Sequence, residues 1–479
     1  MTQQFDVAVL GAGPAGAEAA CVASEIGLST VIIDEATAAG GQVYRAPAAR
    51  SSRPDPHHAE GDALRRRLDA SQATRRFGDR VWDIARTASG ELAGYELSMI
   101  GANGLETVRT RSLIVATGAT ERFYPRPGWT LPGVVGLAAA TILLKSSRVL
   151  PGSNVVVAGA GPLLSLVAHL IIEAGGRVAA IVDVSSLKEW TALVPRMAAR
   201  PDLLFRGLAW QLEVARKKIP VYHGFDVTRV LGETGVEGVE IARTGSADET
   251  GSHGRTVISA DAVCLGYGLT PATEVYRLLG ASHVFDPARG GWIPELDTAQ
   301  RTSVPNLYGA GDGAGLLGAA AAPMTGSLAA LSAANDLGKL SASTYSSKAT
   351  QLRAQLAKAS RFGGAMAHVA RPRPFLVKGI PDATIVCRCE DITAGEVRAA
   401  VEAGAKNINA LKFATRCGMG PCGGRMCGEA AASLMECNGI ERTCIGQFTA
   451  RPPLRPISLG TVTGDFQYSD IPLPEPAPA

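Results

Sequence analysis

The stretch FDVAVLGAGPAGAEAACVASEIGLSTVIID, residues 5–34, decides the fold. Residues 5–10 predict a short buried strand, and the glycine-rich loop GAGPAG follows at residues 11–16. An alanine-rich helix to about residue 26 and a second strand over residues 29–33 come next. This order of strand, loop, helix and strand is the context in which G-x-G-x-x-G binds a dinucleotide, whereas the loop alone is an ordinary glycine-rich turn as often as not.

Each position of this loop has a physical role in such a site. Gly11 makes the tight turn, Gly13 lets a pyrophosphate approach the backbone, and Gly16 lets the helix pack closely on the strand. Pro14 falls in the first helical turn, where its missing N–H costs little, and the helix N-terminus attracts the diphosphate. Asp34 follows Gly16 by 18 residues, where its carboxylate can accept a hydrogen bond from a ribose hydroxyl and disfavours a 2′-phosphate.

Two later stretches of the chain are predicted to end beside the same bound nucleotide. LIVATGA, residues 113–119, predicts a strand that ends in a turn against it, and TSVPNLYGAGDG, residues 302–313, predicts another. Asp312 can hydrogen-bond a ribityl hydroxyl of a flavin, although Gly-Asp-Gly is also a common solvent turn. The glycines at residues 40–41 let the backbone pass close to a flat group. The candidate cofactor-binding residues are Gly11, Gly13, Pro14, Ala15, Gly16, Asp34, Glu35, Gly41, Gln42, Ala116, Thr117, Gly118, Gly311 and Asp312.

A second nucleotide-binding unit is predicted from residue 151 onward, but its loop departs from the G-x-G-x-x-G pattern. The loop GAGPLL, residues 159–164, again lies between a predicted strand and helix, but Leu164 replaces the third glycine. Because that position normally packs against the strand, the leucine must push the helix outward. Asp183 also comes one residue later than Asp34 did. We expect the fold to persist and NAD(P)H affinity to be weak or absent; the alternative is that the helix shifts and NADH still binds.

A third part of the chain is defined by its cysteines. Cys387 and Cys389 form a C-x-C pair, and Cys422 and Cys427 form a C-x4-C pair after 32 intervening residues. Four thiolates among glycines suit a [2Fe–2S] cluster, because backbone N–H groups can approach the sulfurs. Structural zinc usually needs C-x2-4-C spacing, and disulfides are disfavoured in a reducing cytosol. Cys417 is a fifth nearby thiol that could replace one of the four.

Bulk properties exclude several classes of function. The chain has 479 residues, 46% of them hydrophobic and 19% charged, with 55 glycines, which is a soluble α/β composition. A net charge of +3 gives no support for nucleic acid or an anionic membrane surface. Apolar runs are too short for a membrane span, and a strand begins almost directly after Met1, so we expect no targeting peptide. The expected location is the cytoplasm, with membrane association only through partners.

The predicted architecture is α/β with two Rossmann-like domains of the glutathione-reductase type, the first discontinuous, and a small helical [2Fe–2S] domain. The predicted boundaries are 1–150 with 266–345 for FAD, 151–265 for the NAD(P)-like unit, 346–378 for a linker, 379–448 for the cluster domain and 449–479 for a proline-rich tail. An amphipathic helix is expected over residues 347–362. Thr393 and Glu396 predict a capping box at the start of a cluster-domain helix.

Two resemblances add to these predictions. GAGPAG with Asp34, the ATGA strand and the LYGAGD strand resemble the flavoprotein superfamily of glutathione and ferredoxin reductases over residues 5 to about 340. CRCEDIT and TRCGMGPCGGRMC, residues 387–393 and 415–427, resemble bacterioferritin-associated-ferredoxin-like [2Fe–2S] domains. These two stretches resemble the form of this domain that is found in the A (alpha) subunits of opine oxidase and D-hydroxyproline dehydrogenase and in the second subunit of hydrogen cyanide synthase. GGQVYR, PGWTLPGV, GAGPLL and RPPLRPISLG also resemble that family.

The resemblance implies the cluster ligands, the partners and the role of the chain. The ligands fall at Cys387, Cys389, Cys422 and Cys427, which leaves Cys417 as an extra thiol. A separate D-amino-acid-oxidase-like FAD subunit oxidises a C–N bond, a small ferredoxin-like subunit often joins it, and some relatives carry FMN between subunits. We therefore expect an electron-transfer subunit of an amino-acid, imino-acid or opine dehydrogenase, with no catalytic residue assigned. The alternatives are a stand-alone NADH-dependent ferredoxin-type reductase and a structural nucleotide-binding subunit.

Overall fold

Two sheets of mainly parallel strands organise the computed structural model, which describes residues 3–46, 56–87, 93–244 and 254–462. The strands are β1 Gln3–Leu10, β2 Thr30–Asp34, β3 Thr74–Phe77, β4 Arg80–Thr87, β5 Gly94–Gly101, β6 Gly104–Val115, β7 Ala119–Glu121, β8 Val134–Gly136, β9 Asn154–Gly159, β10 Arg177–Asp183, β11 Val221–His223, β12 Phe225–Leu231, β13 Gly238–Arg243, β14 Thr256–Ser259, β15 Ala262–Gly266, β16 Leu269–Pro271, β17 His283–Asp286, β18 Gly291–Pro294, β19 Leu307–Gly309, β20 Ile385–Cys387 and β21 Ile392–Thr393.

The helices of the described residues alternate with these strands in the first two-thirds of the chain and dominate the last third. They are α1 Pro14–Glu25, α2 Pro56–Ala70, α3 Leu137–Ile142, α4 Leu163–Glu173, α5 Leu187–Met197, α6 Pro201–Arg216, α7 Glu274–Leu278, α8 Ala322–Asp336, α9 Ala342–Val369, α10 Ala394–Glu402, α11 Ile408–Thr415, α12 Gly428–Cys437, α13 Arg442–Ile445 and α14 Leu459–Val462. None of them is long and apolar enough to cross a membrane.

The first sheet has the order β3-β2-β1-β6-β5-β4, with β19 paired to β6. β1 lies parallel to β2 and β6, and β19 lies parallel to β6 with Tyr308 opposite Ile114. This sheet is therefore discontinuous in sequence, because β19 follows β6 only after the whole second unit. The carboxyl ends of β1, β6 and β19 meet at one edge, where ligands of open α/β sheets usually bind.

Close helix packing brings the late part of the chain back to the first loop. α1 and α8 pack together through small residues, and most residues of both helices are buried. A Cβ built at Gly326 of α8 would lie 2.0 Å from the carbonyl oxygen of Ala15 in α1. Only glycine permits that approach, so this residue sets the distance between the two helices.

The second sheet has the order β11-β10-β9-β15-β8, and all its pairs are parallel. Its edge strand, Val134–Gly136, precedes residue 151, so the second unit begins within the segment predicted to belong to the first. α1 starts at Pro14, but α4 starts at Leu163, one residue later in the corresponding loop. Leu164 is 2% exposed and lies in the core beside the second sheet.

The end of the chain packs on both sheets. α9 is a 28-residue helix that covers most of the predicted linker and extends beyond the expected 347–362. The capping box at Thr393 and Glu396 is confirmed, with Glu396 N–H donating to Thr393 Oγ1 over 3.3 Å and Thr393 N–H donating to Glu396 Oε2 over 2.8 Å. Part of the proline-rich tail lies against β4, since Leu454 N–H donates to the Trp82 carbonyl over 2.7 Å. Its final residues, 463–479, lie outside the described residues.

Candidate functional site

The first glycine-rich loop has the geometry of a phosphate cradle. Gly11 has φ 102°, and its N–H donates to the Ile33 carbonyl over 2.8 Å, which joins the loop to β2. A Cβ built at Gly16 would lie 1.8 Å from the Gly11 carbonyl oxygen, so the helix can approach the loop only through glycine. A Cβ built at Gly13 would have only the Gly41 Cα, at 3.9 Å, as a neighbour. The backbone of Gly13 is therefore open to a bound group, as a pyrophosphate requires.

Asp34 lies at the end of β2, beside the loop. Its Oδ2 accepts a hydrogen bond from Ala12 N–H over 2.5 Å, and its Oδ1 accepts one from Ala36 N–H over 2.7 Å. Burial raises the pKa of this carboxyl, while the two backbone hydrogen bonds oppose the rise. The carboxylate is thus held at the mouth of the loop, where a ribose hydroxyl could donate to it.

The later candidate residues converge on the same edge. A Cβ built at Gly11 would lie 2.4 Å from the Ala116 carbonyl oxygen, and one at Gly311 would lie 2.9 Å from the Ala15 Cβ. Gly311 N–H donates to Thr325 Oγ1 over 2.9 Å, which fixes the start of the Asp312 turn. Thr117 and Gly118 lie beside this turn, since a Cβ built at Gly313 would lie 3.0 Å from the Gly118 carbonyl oxygen and 3.1 Å from Thr117 Oγ1.

Asp312 is held rigidly within this turn. Its Oδ1 accepts hydrogen bonds from Leu317 N–H over 3.0 Å and from Gly318 N–H over 2.9 Å. Burial raises the pKa of its carboxyl, against the effect of these hydrogen bonds and of Arg289. No described residue hydrogen-bonds its Oδ2, so one oxygen is free to accept from a ribityl hydroxyl.

Two predicted residues, Glu35 and Gln42, have exposed side chains at the margin of the cradle. Glu35 follows Asp34 but lies 3.6 Å from Arg80 and 3.8 Å from Arg455, in ion pairs on the surface. Gln42 is exposed and accepts a hydrogen bond from Arg45 over 3.1 Å. The other candidate residues are brought together by the three strand ends, and their open glycines and free carboxylate oxygen fit an FAD molecule.

Five thiols meet in the C-terminal part of the chain. The Sγ atoms of Cys387, Cys417 and Cys427 lie within 4.8 Å of one another, and all three residues are buried. Cys389 and Cys422 are half-buried and hydrogen-bonded to each other. Hydrogen bonds from Cys417 and Cys427 lower the pKa of Cys387 far below its usual range. The four predicted ligands thus form two contacting pairs, which fits two irons with two thiolates each, and Cys417 joins the pair of Cys387 and Cys427.

Phe448 covers the glycines of the cysteine loop. Cβ atoms built at Gly418, Gly424 and Gly428 would lie 2.6, 2.5 and 3.3 Å from its ring. The ring is 9% exposed, and Lys412 Nζ lies 5.8 Å from its centroid. The loop lacks side chains at the positions where the ring lies, so the ring packs directly on the loop backbone.

Similarity to known proteins agrees with this geometry. A family model described as pyridine nucleotide-disulphide oxidoreductase matches residues 5–336, and one described as a BFD-like [2Fe-2S] binding domain matches residues 385–437. The A subunit of opine oxidase from Rhizobium meliloti (strain 1021) is 34% identical over 96% of this chain and 98% of its own length. The chain belongs to the family of opine oxidase A subunits. Hydrogen cyanide synthase subunit HcnB of Pseudomonas protegens is 32% identical over 94% of this chain and 95% of its own length.

As a member of the family of opine oxidase A subunits, the chain is an oxidoreductase subunit that carries FAD and a [2Fe–2S] cluster. The predictions of the family, the fold class and these two cofactors are confirmed. The crystal structure of L-proline dehydrogenase from P. horikoshii shares the fold, with a TM-score of 0.70 and 19% identity over 96% of this chain and 80% of that one.

The cysteine loop of this family member lies directly against the edge of the flavin unit. Thr117 Oγ1 donates to the Ala272 carbonyl over 2.9 Å, and the next residue, Thr273, donates to Gln447 Oε1 over 3.4 Å. Arg277 donates to the Phe448 carbonyl. An ion pair of 2.7 Å between Arg425 and Glu274 fixes the same contact from the cysteine side. Both cofactor regions are therefore joined by consecutive direct contacts.

The second glycine-rich loop is covered by the chain itself. A Cβ built at Gly161 would lie 2.8 Å from the Ala370 Cβ, where the corresponding Gly13 faces open space. Ala370 is 6% exposed and directly follows α9, and its carbonyl accepts a hydrogen bond from Arg122 over 2.7 Å. Arg373 then donates to Ser185 Oγ over 3.2 Å, which ties the segment to the end of β10. The segment thus occupies the space where a pyrophosphate would approach.

The carboxylate of the second unit is also engaged. Asp183 is 3% exposed, and its two oxygens accept hydrogen bonds from Ser185 N–H over 2.8 Å and from Trp190 Nε1 over 2.7 Å. Glu189 anchors the covering segment through Arg371 at 2.8 Å and Arg373 at 3.1 Å. Although burial opposes it, hydrogen bonds from the Ser186 N–H and Arg371, together with the charge of Arg373, lower the pKa of Glu189 to about 2. This anchor remains charged at neutral pH.

Phe448 and Ala370 were not among the residues predicted from the sequence. Phe448 had no local signal, since two helices separate it from the cysteine loop. Ala370 had no such signal either, because nothing in the sequence predicts that the end of α9 lies over Gly161.

Proposed function

We propose that the chain is the electron-transfer subunit of a heteromeric dehydrogenase that oxidises the C–N bond of an amino acid, imino acid or opine. The observation that carries the proposal is the direct contact of the flavin unit with the cysteine region, through the ion pair of Arg425 in the cysteine loop with Glu274 and the hydrogen bond of Thr273 with Gln447. The full-length similarity to the A subunit of opine oxidase supports the substrate class. When bound, FAD and the cluster supply the conversion between two-electron and one-electron transfer.

We assign FAD to the converging candidate residues from Gly11 to Asp312, with Glu35 and Gln42 at the margin. We assign the cluster to Cys387, Cys389, Cys422 and Cys427, which the two contacting pairs support. Residues 1–150 with 266–345 and 151–265 are proposed as the nucleotide-binding domains, with β8 within the first range adding an edge strand to the second sheet, and residues 379–448 as the cluster domain.

Substrate oxidation is assigned to a partner, a D-amino-acid-oxidase-like subunit with its own FAD. A small ferredoxin-like subunit is proposed as a third component, and FMN between subunits as a further cofactor. In this chain, the residues of the flavin edge bind and orient, and Phe448 excludes water from the thiols. The stand-alone NADH-dependent reductase is disfavoured because Ala370 covers Gly161 and because Asp183 is only 3% exposed, whereas Asp34 is half-buried.

The test compares the isolated chain with the purified complex. Each is mixed anaerobically with a D-amino acid, proline, hydroxyproline or an opine, and flavin absorbance is followed. We expect a substrate from this panel to bleach flavin in the complex and none to do so in the isolated chain. Bleaching of the isolated chain by any of them would place substrate oxidation in this chain and refute the proposed division of labour.

A further inference from the structure

A cleft of about 490 Å³ opens where the flavin unit, the second unit and α9 meet. Its lining includes the cationic side chains Arg196, Arg289 and Arg361, the imidazole of His368 and the apolar side chains Leu316 and Leu317. No aspartate or glutamate of the described residues lines it. The volume is in the range of small-molecule sites, in which an apolar surface and a few convergent polar groups fix the ligand.

The wall formed by α9 depends on two adjacent glycines. A Cβ built at Gly363 would lie 1.6 Å from the Leu317 carbonyl oxygen, so the helix packs directly on the loop that follows Asp312. Gly364 has nothing within 4 Å of a built Cβ, which leaves the cleft open at that point. Arg361, Gly364 and His368 recur at helical spacing, so they lie on one face and flank the open space.

Two of the three arginines of the cleft, Arg196 and Arg361, have no ion-pair partner among the described residues, whereas Arg289 lies in the field of Asp286 and Asp312. No carboxylate oxygen of a described residue lies within 4.0 Å of Arg196, Arg289 or Arg361, whereas the arginines at neighbouring interfaces are paired, as Arg126 is with Asp226 and Arg373 with Glu189. Arg196 and Arg361 thus carry charges that no described carboxylate contacts directly, and these charges attract an anion to the cleft.

Arg289 is the most constrained of these arginines. One guanidinium nitrogen donates to the Ala314 carbonyl over 2.9 Å, and the group lies against Gly315, where a built Cβ would be 2.6 Å from that nitrogen. Its Nε is buried and has no hydrogen-bond partner among the described residues. The backbone therefore fixes the guanidinium while leaving part of its donor capacity unused.

We propose that this cleft binds a small organic anion, with its phosphate or carboxylate group held by Arg196, Arg289 and Arg361 and its apolar part resting on Leu316 and Leu317. The guanidinium fork matches both oxyanions bidentately, which makes arginine the residue that suits such recognition. This inference concerns a site separate from the FAD cradle and does not depend on the proposed electron-transfer role.

Occupancy of the cleft has an optical consequence. Leu317 N–H donates to Asp312 Oδ1, and Asp312 is a proposed contact of the flavin ribityl chain. A group bound against Leu317 and Arg289 changes the position and the field of this turn. Anion binding is therefore expected to shift the flavin absorption spectrum. The spectral shift and the heat of binding should saturate at the same anion concentration.

The experiment titrates the FAD- and cluster-loaded chain with sodium phosphate and with sodium succinate at constant ionic strength, read by calorimetry and flavin absorbance. We expect saturable binding of at least one probe, and the preferred probe identifies the oxyanion class. Arg196→Gln and Arg361→Gln each weaken binding by about tenfold or more, because a charge-assisted hydrogen bond is lost. Both residues are exposed, so flavin content and thermal unfolding stay unchanged.

Arg216→Gln is the matched control, because Arg216 is exposed on α6 and lies outside the cleft. It is expected to bind the probe as the wild type does. The inference is overturned if neither probe saturates below about 10 mM, or if the Arg196 and Arg361 variants bind as tightly as the Arg216 variant.

Discussion

Glu121 offers a quantitative test of the packing between the two nucleotide-binding units. Its half-buried carboxyl lies where β7 meets the start of α3, and its Oε1 accepts a hydrogen bond from Ala138 N–H over 3.0 Å. Cβ atoms built at Gly136 and Gly266 would lie 2.1 and 2.3 Å from its oxygens, so the backbone closes around it. Burial raises the pKa of Glu121 to about 8, although hydrogen bonds from backbone N–H groups oppose the rise.

The sign of the effect follows from proton binding. Between pH 4.5 and 8 the folded chain keeps the proton on Glu121 while the unfolded chain has lost it, so stability falls as pH rises through this window. One pKa unit corresponds to about 1.4 kcal/mol, and from pH 5 to pH 8 the stability lost is about 3.5 kcal/mol. For a cooperative unit of about 150–250 residues this is a change of roughly 10 °C in Tm.

Glu121→Gln removes the titration and keeps the acceptor oxygen for Ala138 N–H. We expect the Tm of the variant to exceed that of the wild type by an amount that grows by roughly 10 °C between pH 5 and pH 8. Glu233→Gln is the control, because Glu233 is exposed, and its Tm difference from the wild type should stay constant. Thermal melts of the holoprotein across this pH range are the assay. A Tm difference for Glu121→Gln that does not change with pH would refute the reasoning.

Three further substitutions address the cofactor sites. Gly16→Leu places a side chain against the Gly11 carbonyl and should abolish FAD binding. The flavin content is measured as the ratio of the absorbance at visible wavelengths to that in the ultraviolet. Retained flavin would contradict the proposed cradle. Cys389→Ser should lose the reduced-cluster EPR signal, and Cys417→Ser should keep it, whereas the reverse pattern would make Cys417 the ligand. Phe448→Ala should accelerate cluster loss in air several-fold, because the ring that covers the loop is removed. Phe413→Ala, at an 88% exposed position, is its control, and equal rates of loss would refute the shielding role.

The parts of the site that the sequence predicted are those built from local geometry. The GAGPAG loop carries its turn, its helix start and its close approach within six residues, so its structure follows from residue types. The capping box of Thr393 and Glu396 is local in the same way. Asp312 could be placed because strand ends of parallel sheets meet at one edge.

The rest depended on contacts between distant residues. The approach of Ala370 to Gly161 requires that α9 cross both units, and the small residues of α9 gave too weak a periodicity to predict its full length. Glu35 forms ion pairs with Arg80 and Arg455, which are distant from it in sequence, and no local pattern predicted those contacts. The β8 strand is only three residues long and follows Pro132 closely, so no pattern marked it as an edge of the second sheet.

The central claim is that one chain carries both FAD and the cluster and that its covered second unit does not accept NADH. The most direct test is an anaerobic titration of the purified chain, first with NADH and then with dithionite, read by visible absorbance and EPR. We predict that NADH leaves flavin and cluster oxidised, and that dithionite bleaches the flavin and produces the reduced-cluster signal. Bleaching and a cluster signal with NADH alone would show that the second unit is open, and the absence of a cluster signal with dithionite in iron-replete protein would contradict the assignment of the cysteines.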